Sequence, residues 1–239
     1  MKFITYLDKG VSVLGCLLDS DKKVVNVHGI SDSILPGNLK AYIENFEFNN
    51  VRLLKLIDNL KDEFIIDVKY DDILAPLLNP SSFRDFYAFR QHVEAGRKKR
   101  GLEMIPEYDE IPVFYFSNHH SIVGPGNIVV EEKHLDKLDY EFEIGIVISR
   151  GGKNIKSKDA FNHVAGLTIL NDWSARSLQF KEMKLNLGPA KGKDFGTSIG
   201  PYVVTPDEIK HKTEKGLYGN HYHLKMDSFI NNHPVSSDN

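Results

Sequence analysis

The chain has 239 residues, 41% of them hydrophobic and 26% charged, and a net charge of −3 at neutral pH. Such a length buries a sizeable core in one large domain or two smaller ones, and the small negative charge excludes a global pull toward nucleic acid or a membrane surface. One cysteine, Cys16, excludes an internal disulfide; with charge close to the N-terminus and no apolar run of about 18 residues, a cytoplasmic location is expected.

Residues 1–30 read as a β-meander of "KFITYL", "VSVLGCLL" and "KVVNVHGI", separated by turns at Asp8-Lys9-Gly10 and at 19–23. Over 37–63 the period turns helical, through Leu39, Tyr42, Ile43 and Phe46 and then Leu53, Leu56, Ile57 and Leu60. The Pro-rich "ILAPLLNPSS" at 73–82 marks a junction, giving an N-terminal module at 1–72 and a larger unit at 73–239. Ser82 is the predicted cap of a helix reaching about Arg100, with Arg97-Lys98-Lys99-Arg100 as its solvated end. Strands are predicted at "IPVFYFSN", 126–131 and 138–149. "SKDAFNHVAG" reads as a short helix capped by Ser157 and closing near Gly166, and "LTILND" as a buried strand stopping at Asn171-Asp172. The fold class is mixed β with few helices, α+β.

Within "LDYEFEIGIVI" strict alternation places Tyr140, Phe142, Ile144, Ile146 and Ile148 on one face. Asp139, Glu141, Glu143, Gly145 and Val147 fall on the other. The β-carbons of Glu141 and Glu143 then stand roughly 6.5–7 Å apart, and two carboxylates so close need a compensating cation: Lys, Arg or a metal. An isolated E-x-E is most simply a solvated strand face. Here Asp172 ends an uncharged strand and Asp85 sits in the aromatic-rich "RDFYAFRQH", so four acids without cysteine suit a hard cation, Mg²⁺ or Ca²⁺. On the predicted helix, Asp85 and His92 are two turns apart and share a face, which offers His92 as a general base over a metal. "GPAKGKDFGTSIGP" is Gly-rich but lacks P-loop spacing, and its glycines at 188, 192, 196 and 200 read as tight turns or close backbone approaches.

The segments "RDFYAFRQH", "IPVFYF", "LDYEFEIGIVI", "DAFNHVAGLTILNDWSAR" and "GPAKGKDFGTSIGPYVVTPDE", in that order, resemble the catalytic domain of the fumarylacetoacetate hydrolase family from about residue 78 onward. Residues 1–72 resemble the smaller module that precedes it in many members. The resemblance implies that Asp85, Glu141, Glu143 and Asp172 bind a divalent cation and that His92 activates water. It implies that Lys193 sets charge beside the metal, and that Tyr87, Tyr115, Arg176, Gln179 and Arg100 (with Arg97 as the alternative) meet substrate. The implied reaction is hydrolysis of a carbon–carbon bond in a β-diketo acid of fumarylacetoacetate or acylpyruvate type, by His-activated water and a metal-stabilised enolate.

A decarboxylase, isomerase or hydratase on the same scaffold is the alternative, as is a non-catalytic metal-binding remnant. Met183 stands where a tyrosine is common in the family, and Ser177 where an acid is common. The resemblance further implies a homodimer, and a β-roll that runs on past Asn239, so a fragment or a truncated reading of an active enzyme is expected.

Overall fold

The computed structural model describes residues 1–18, 22–216 and 219–238; most of the turn expected at 19–23 lies outside them. Strands β1 (Lys2–Asp8) and β2 (Val11–Leu17) form a hairpin closed by Lys9 and Gly10, both at positive φ, as a two-residue turn matched to strand twist requires. Strand β3 (Lys23–Asn26) adds to β2. Phe3, Leu14, Cys16 and Val25 enter the main core, while Ile4, Tyr6, Leu17 and Val24 enter a second cluster on the opposite face. The expected third strand stops early, because the Asn26 side chain caps the Gly29 N–H at 2.9 Å and turns Val27–Ile30 into helix α1. The predicted helical stretch breaks at Asn45 into α2 (Leu39–Glu44) and α3 (Phe46–Ile57), which bury Leu39, Tyr42 and Leu53 in the main core.

Next come β4 (Ile65–Asp67), β5 (Ile73–Leu74), β6 (Phe83–Phe86), α4 (Arg90–Lys99), β7 (Phe114–Ser117), β8 (Ile122–Val123), α5 (Glu132–Leu135) and β9 (Leu138–Ile148). The chain continues through α6 (Ser157–Ala160), β10 (Val164–Ala175), α7 (Arg176–Glu182), α8 (Ala190–Lys193), β11 (Thr197–Ile199) and β12 (Val203–Val204). It finishes in two ribbons, β13 (Thr213–Lys215) with β14 (Asn220–Tyr222), and β15 (Met226–Ile230) with β16 (His233–Asp238). The main sheet runs β4-β3-β2-β1-β12-β10-β11-β8, with β5 on β1 and β9 on β10; its pairings are antiparallel except β11 with β8. This is the mixed β architecture with few helices that the sequence predicts. The sheet passes straight across the expected junction near residue 73. Lys2 pairs with Val204 and Phe3 with Val203, and one core holds Phe3, Leu14 and Val25 together with Val147, Leu170, Ile199 and Val203.

Several local expectations are corrected. Ser82 caps no helix: "FRDF" is strand β6, paired with β7 in the register Asp85 opposite Tyr115, and α4 begins only at Arg90. The segment therefore follows period two, and Asp85 and His92 do not share a helix face. Residues 126–131 form no strand. Ser157 is the first residue of α6 rather than its cap, and Gly166 lies in β10. Strand β10 does not stop at Asn171-Asp172 but runs to Ala175, because β9 pairs with it along its length. On β9 exposure does not follow the alternation: Asp139, Ile146 and Ile148 are exposed, Tyr140, Phe142 and Ile144 are half-buried, and Val147, from the acidic face, enters the core.

Candidate functional site

Register builds the site. Antiparallel pairing sets Glu141 opposite Asp172 and Glu143 opposite Leu170, so three acids share one sheet face at the margin of the core. Asp85, from the inward side of the β6–β7 ribbon, meets this face through Tyr115. The Tyr115 hydroxyl lies 2.7 Å from Asp85 Oδ2 and 2.9 Å from Asp172 Oδ2. Its single proton serves one carboxylate at a time. Burial, then the negative charges of Asp172 and Asp85, push the phenol pKa up, so it stays protonated.

Lys193 ends α8, which packs close against α7: a Cβ on Gly192 would lie 2.9 Å from the backbone N of Gln179. Glu182 accepts from the Lys191 and Gly192 amides at 2.9 and 2.6 Å, fixing the start of this short helix. Lys193 Nζ thereby donates to Glu141 Oε2 at 2.6 Å and Asp172 Oδ2 at 2.7 Å, with Lys193 1% and Asp172 0% exposed. Arg176 opens α7 where β10 ends. Its Nη1 donates to Glu141 Oε1 at 2.7 Å and Gln179 Oε1 at 3.0 Å, and its Nε to Asp139 Oδ2 at 2.8 Å.

The electrostatics divide the acids. Burial alone would raise Glu141, but the charge and hydrogen bond of Lys193 and the hydrogen bond from Arg176 outweigh it and hold the carboxyl below its usual range. Complete burial raises Asp172 against the pull of Lys193. Glu143 has no basic partner at hydrogen-bond distance among the described residues; burial first, and then Asp85, Asp172 and Glu141, push it up to about 8. A carboxyl raised in the folded state opposes folding once ionised. Metal-free protein is therefore expected to lose stability as pH climbs from the ordinary 4.5 through about 8. Melting curves between about pH 5 and pH 8.5 test this, and Glu143→Gln should flatten the slope.

Carboxylate oxygens of Asp85, Glu141 and Glu143 lie within 4.8 Å of one another. Oxygens sharing one ion at about 2.1–2.5 Å stand at most about 4–5 Å apart. Asp172 Oδ1 is buried without a hydrogen-bond partner among the described residues, an omission native interiors rarely tolerate unless another group completes it. Five carboxylates, with Asp139 counted, face two cations, Lys193 and Arg176, and the oxygen-only donor set fits a hard divalent ion.

Of the sequence-predicted site residues, Asp85, Tyr115, Glu141, Glu143, Asp172, Arg176, Gln179 and Lys193 come together. Tyr87, His92 and Arg100 do not join them through any hydrogen bond or ion pair among the described residues. The Tyr87 carbonyl accepts from Tyr108 at 2.6 Å, and Arg100 Nε donates to the Gly96 carbonyl within α4 at 3.1 Å. The alternative, Arg97, donates to the Glu103 carbonyl. His92 is exposed on α4, which Arg90 ties to Asp109 through Nε–Oδ1 at 2.9 Å and Nη2–Oδ2 at 3.2 Å. Asp139 and Glu182 were not singled out from sequence. The β9 alternation already puts Asp139 on the acidic face, whereas nothing local in the sequence announces Glu182.

The family model described as fumarylacetoacetate (FAA) hydrolase C-terminal matches residues 81–239. The chain is similar to fumarylacetoacetase of Arabidopsis thaliana, 30% identical over 191 residues, which cover 72% of this chain and 45% of that protein. It is also similar to oxaloacetate tautomerase fahd2, mitochondrial, of Xenopus laevis, 26% identical over 204 residues, covering 85% and 61% of the two. Among solved structures it resembles maleylpyruvate hydrolase from Sphingobium sp. SYK-6, in complex with manganese(II) ion and pyruvate. The TM-score there is 0.67 and the identity 16%, over 100% of this chain and 76% of that one. Fumarylacetoacetate hydrolase from psychrophilic Exiguobacterium antarcticum gives 0.63 and 22%, over 100% and 75%. At such identities the structures establish the fold alone. The chain spans less than half the length of the fumarylacetoacetases it matches. No helix among the described residues is long and apolar enough to cross a membrane.

Proposed function

The chain belongs to the fumarylacetoacetate hydrolase family, and from that premise we propose that it acts as a divalent-metal-dependent hydrolase of a β-diketo acid, of the fumarylacetoacetate or acylpyruvate type. One observation carries the reading: the oxygens of Asp85, Glu141 and Glu143 converge within 4.8 Å beside a buried Lys193, leaving negative charge that the side chains do not balance. Asp85, Glu141, Glu143 and Asp172 would hold Mg²⁺ or Ca²⁺, which supplies Lewis acidity and a template for the two oxygens of a 1,3-dicarbonyl.

The chain's own groups do the rest. His92, the base that the family resemblance implies, stands exposed on α4 outside the carboxylate cluster, and in the proposed reaction it takes a proton from water. The resulting hydroxide adds to a carbonyl carbon, and the carbon–carbon bond breaks with its electron pair going to the departing α-carbon. That carbon recovers a proton from the His92 imidazolium, giving a carboxylic acid and a ketone. The fixed ammonium of Lys193 offsets charge where it develops. Tyr115, Arg176 and Gln179 orient carboxylate and carbonyl oxygens.

A second reading, keto–enol tautomerisation of an α-keto diacid, is favoured by the match to the oxaloacetate tautomerase over 85% of this chain. It needs proton movement alone. Assaying fumarylacetoacetate, acylpyruvates and oxaloacetate with and without metal separates the two. His92→Ala is expected to keep its affinity for divalent ion and to lose about 10²–10⁴-fold in kcat on a diketo acid. Full turnover by that variant removes the proposed base.

A further inference from the structure

We infer that Asp139 is a positioning residue of the carboxylate cluster, acting through Arg176; the inference rests on reading that cluster as a metal site. Asp139 is itself held by the backbone, since the Tyr140 N–H donates to its Oδ1 at 2.9 Å. Its other oxygen accepts Arg176 Nε at 2.8 Å and lies 2.8 Å from Nη2. The main-chain N–H of Arg176 donates to the Lys137 carbonyl at 3.1 Å, so both ends of this arginine are tied to the start of β9.

A guanidinium is planar and rigid, so fixing its Nε/Nη2 edge fixes where Nη1 points. Here Nη1 meets Glu141 Oε1 at 2.7 Å, and Gln179 Oε1 supports it at 3.0 Å. Lys193 holds the other oxygen of Glu141 at 2.6 Å. With one cation on each oxygen the plane of the Glu141 carboxylate is set, and one of those oxygens lies within 4.8 Å of oxygens of Asp85 and Glu143. Removing Asp139 leaves Arg176 attached to Glu141 but free to swing, and the carboxylate turns with it. Asp139 touches none of the other acids through a hydrogen bond or ion pair among the described residues, so its influence runs through Arg176.

The test is calorimetric titration of Mn²⁺ into the full chain, for wild type, Asp139→Ala, Arg176→Ala and the double variant, with a metal-free melt of each. Partners that orient a ligating side chain are typically worth about 10–100-fold in metal affinity. Asp139→Ala is expected to weaken Mn²⁺ by that factor, and to cause no further loss once Arg176 is alanine, the non-additivity of two residues acting as one unit. Asp139→Asn, which keeps the shape and the Tyr140 contact but not the charge, should move affinity in the same direction, and it serves if the alanine variant fails to fold. Unchanged affinity in Asp139→Ala, or losses that add in the double variant, overturn the inference. A wild-type chain that takes up no Mn²⁺ overturns the metal reading itself and the inference with it.

Discussion

Replacing Lys193 with methionine is expected to cost about 3–5 kcal/mol of folding stability, the usual toll of removing one partner from a buried ion pair. The stem of the side chain is retained and only the charge goes, so packing is nearly conserved. What changes is that Asp172, wholly inaccessible, and Glu141 lose the ammonium lying 2.7 and 2.6 Å away, with Asp85 and Glu143 close by. Against a total stability of about 5–15 kcal/mol that is a large fraction. The deficit should shrink as pH falls, because protonating the stranded carboxyls removes the uncompensated charge. Saturating divalent ion should recover part of it, since an ion bound only by the folded state stabilises that state. Urea unfolding at about pH 8 and about pH 5, with and without Mg²⁺, measures all three effects. A variant as stable as wild type at pH 8 would mean that the buried ammonium does not neutralise this cluster.

The second large effect falls on Glu141. It is the acid on which the site closes: Arg176 on one oxygen, Lys193 on the other, and a ligand atom within 4.8 Å of those from Asp85 and Glu143. Glu141→Ala is expected to abolish divalent-ion binding by calorimetry and to erase any metal-dependent rise in melting temperature. Turnover of a diketo acid should go with it. The stability cost should be smaller than for Lys193→Met, since Lys193 keeps Asp172 and Arg176 keeps Asp139. Glu141→Gln, similar in size but uncharged, separates charge from shape: retained ion binding there would show that Glu141 is not needed as an anion.

The strand that carries Glu141 and Glu143 was legible because acidic and apolar residues alternate from Leu138 to Ile144, and that pattern alone puts both acids on one face. The β1–β2 hairpin was legible through Lys9-Gly10, whose conformation suits the turn. What escaped was decided far away in the chain. "FRDFYAFRQH" spaces its aromatics in a way that serves period two or period 3.6. The pairing of Asp85 with Tyr115, thirty residues on, selects the strand, so two groups expected on one helix sit on different elements. "KVVNVHGI" reads as strand throughout, yet one Asn26 cap converts its second half to a helical turn. The sheet's passage through the expected junction depends on β1 meeting β12 some two hundred residues later, which no local pattern records. Asp139 stood in view on the acidic face of β9, but its partner Arg176 lies 37 positions on, and only the end of β10 beside the start of β9 reveals it.

The central claim is that side chains from β6, β9 and β10 share one hard cation. The most direct measurement is a crystal structure grown with Mn²⁺, using its anomalous signal to locate the ion. One ion per chain is expected, within about 2.0–2.5 Å of oxygens from Asp85, Glu141, Glu143 and Asp172. Data showing no ion there, with Glu143 and Asp85 turned outward to basic neighbours of their own, would contradict it.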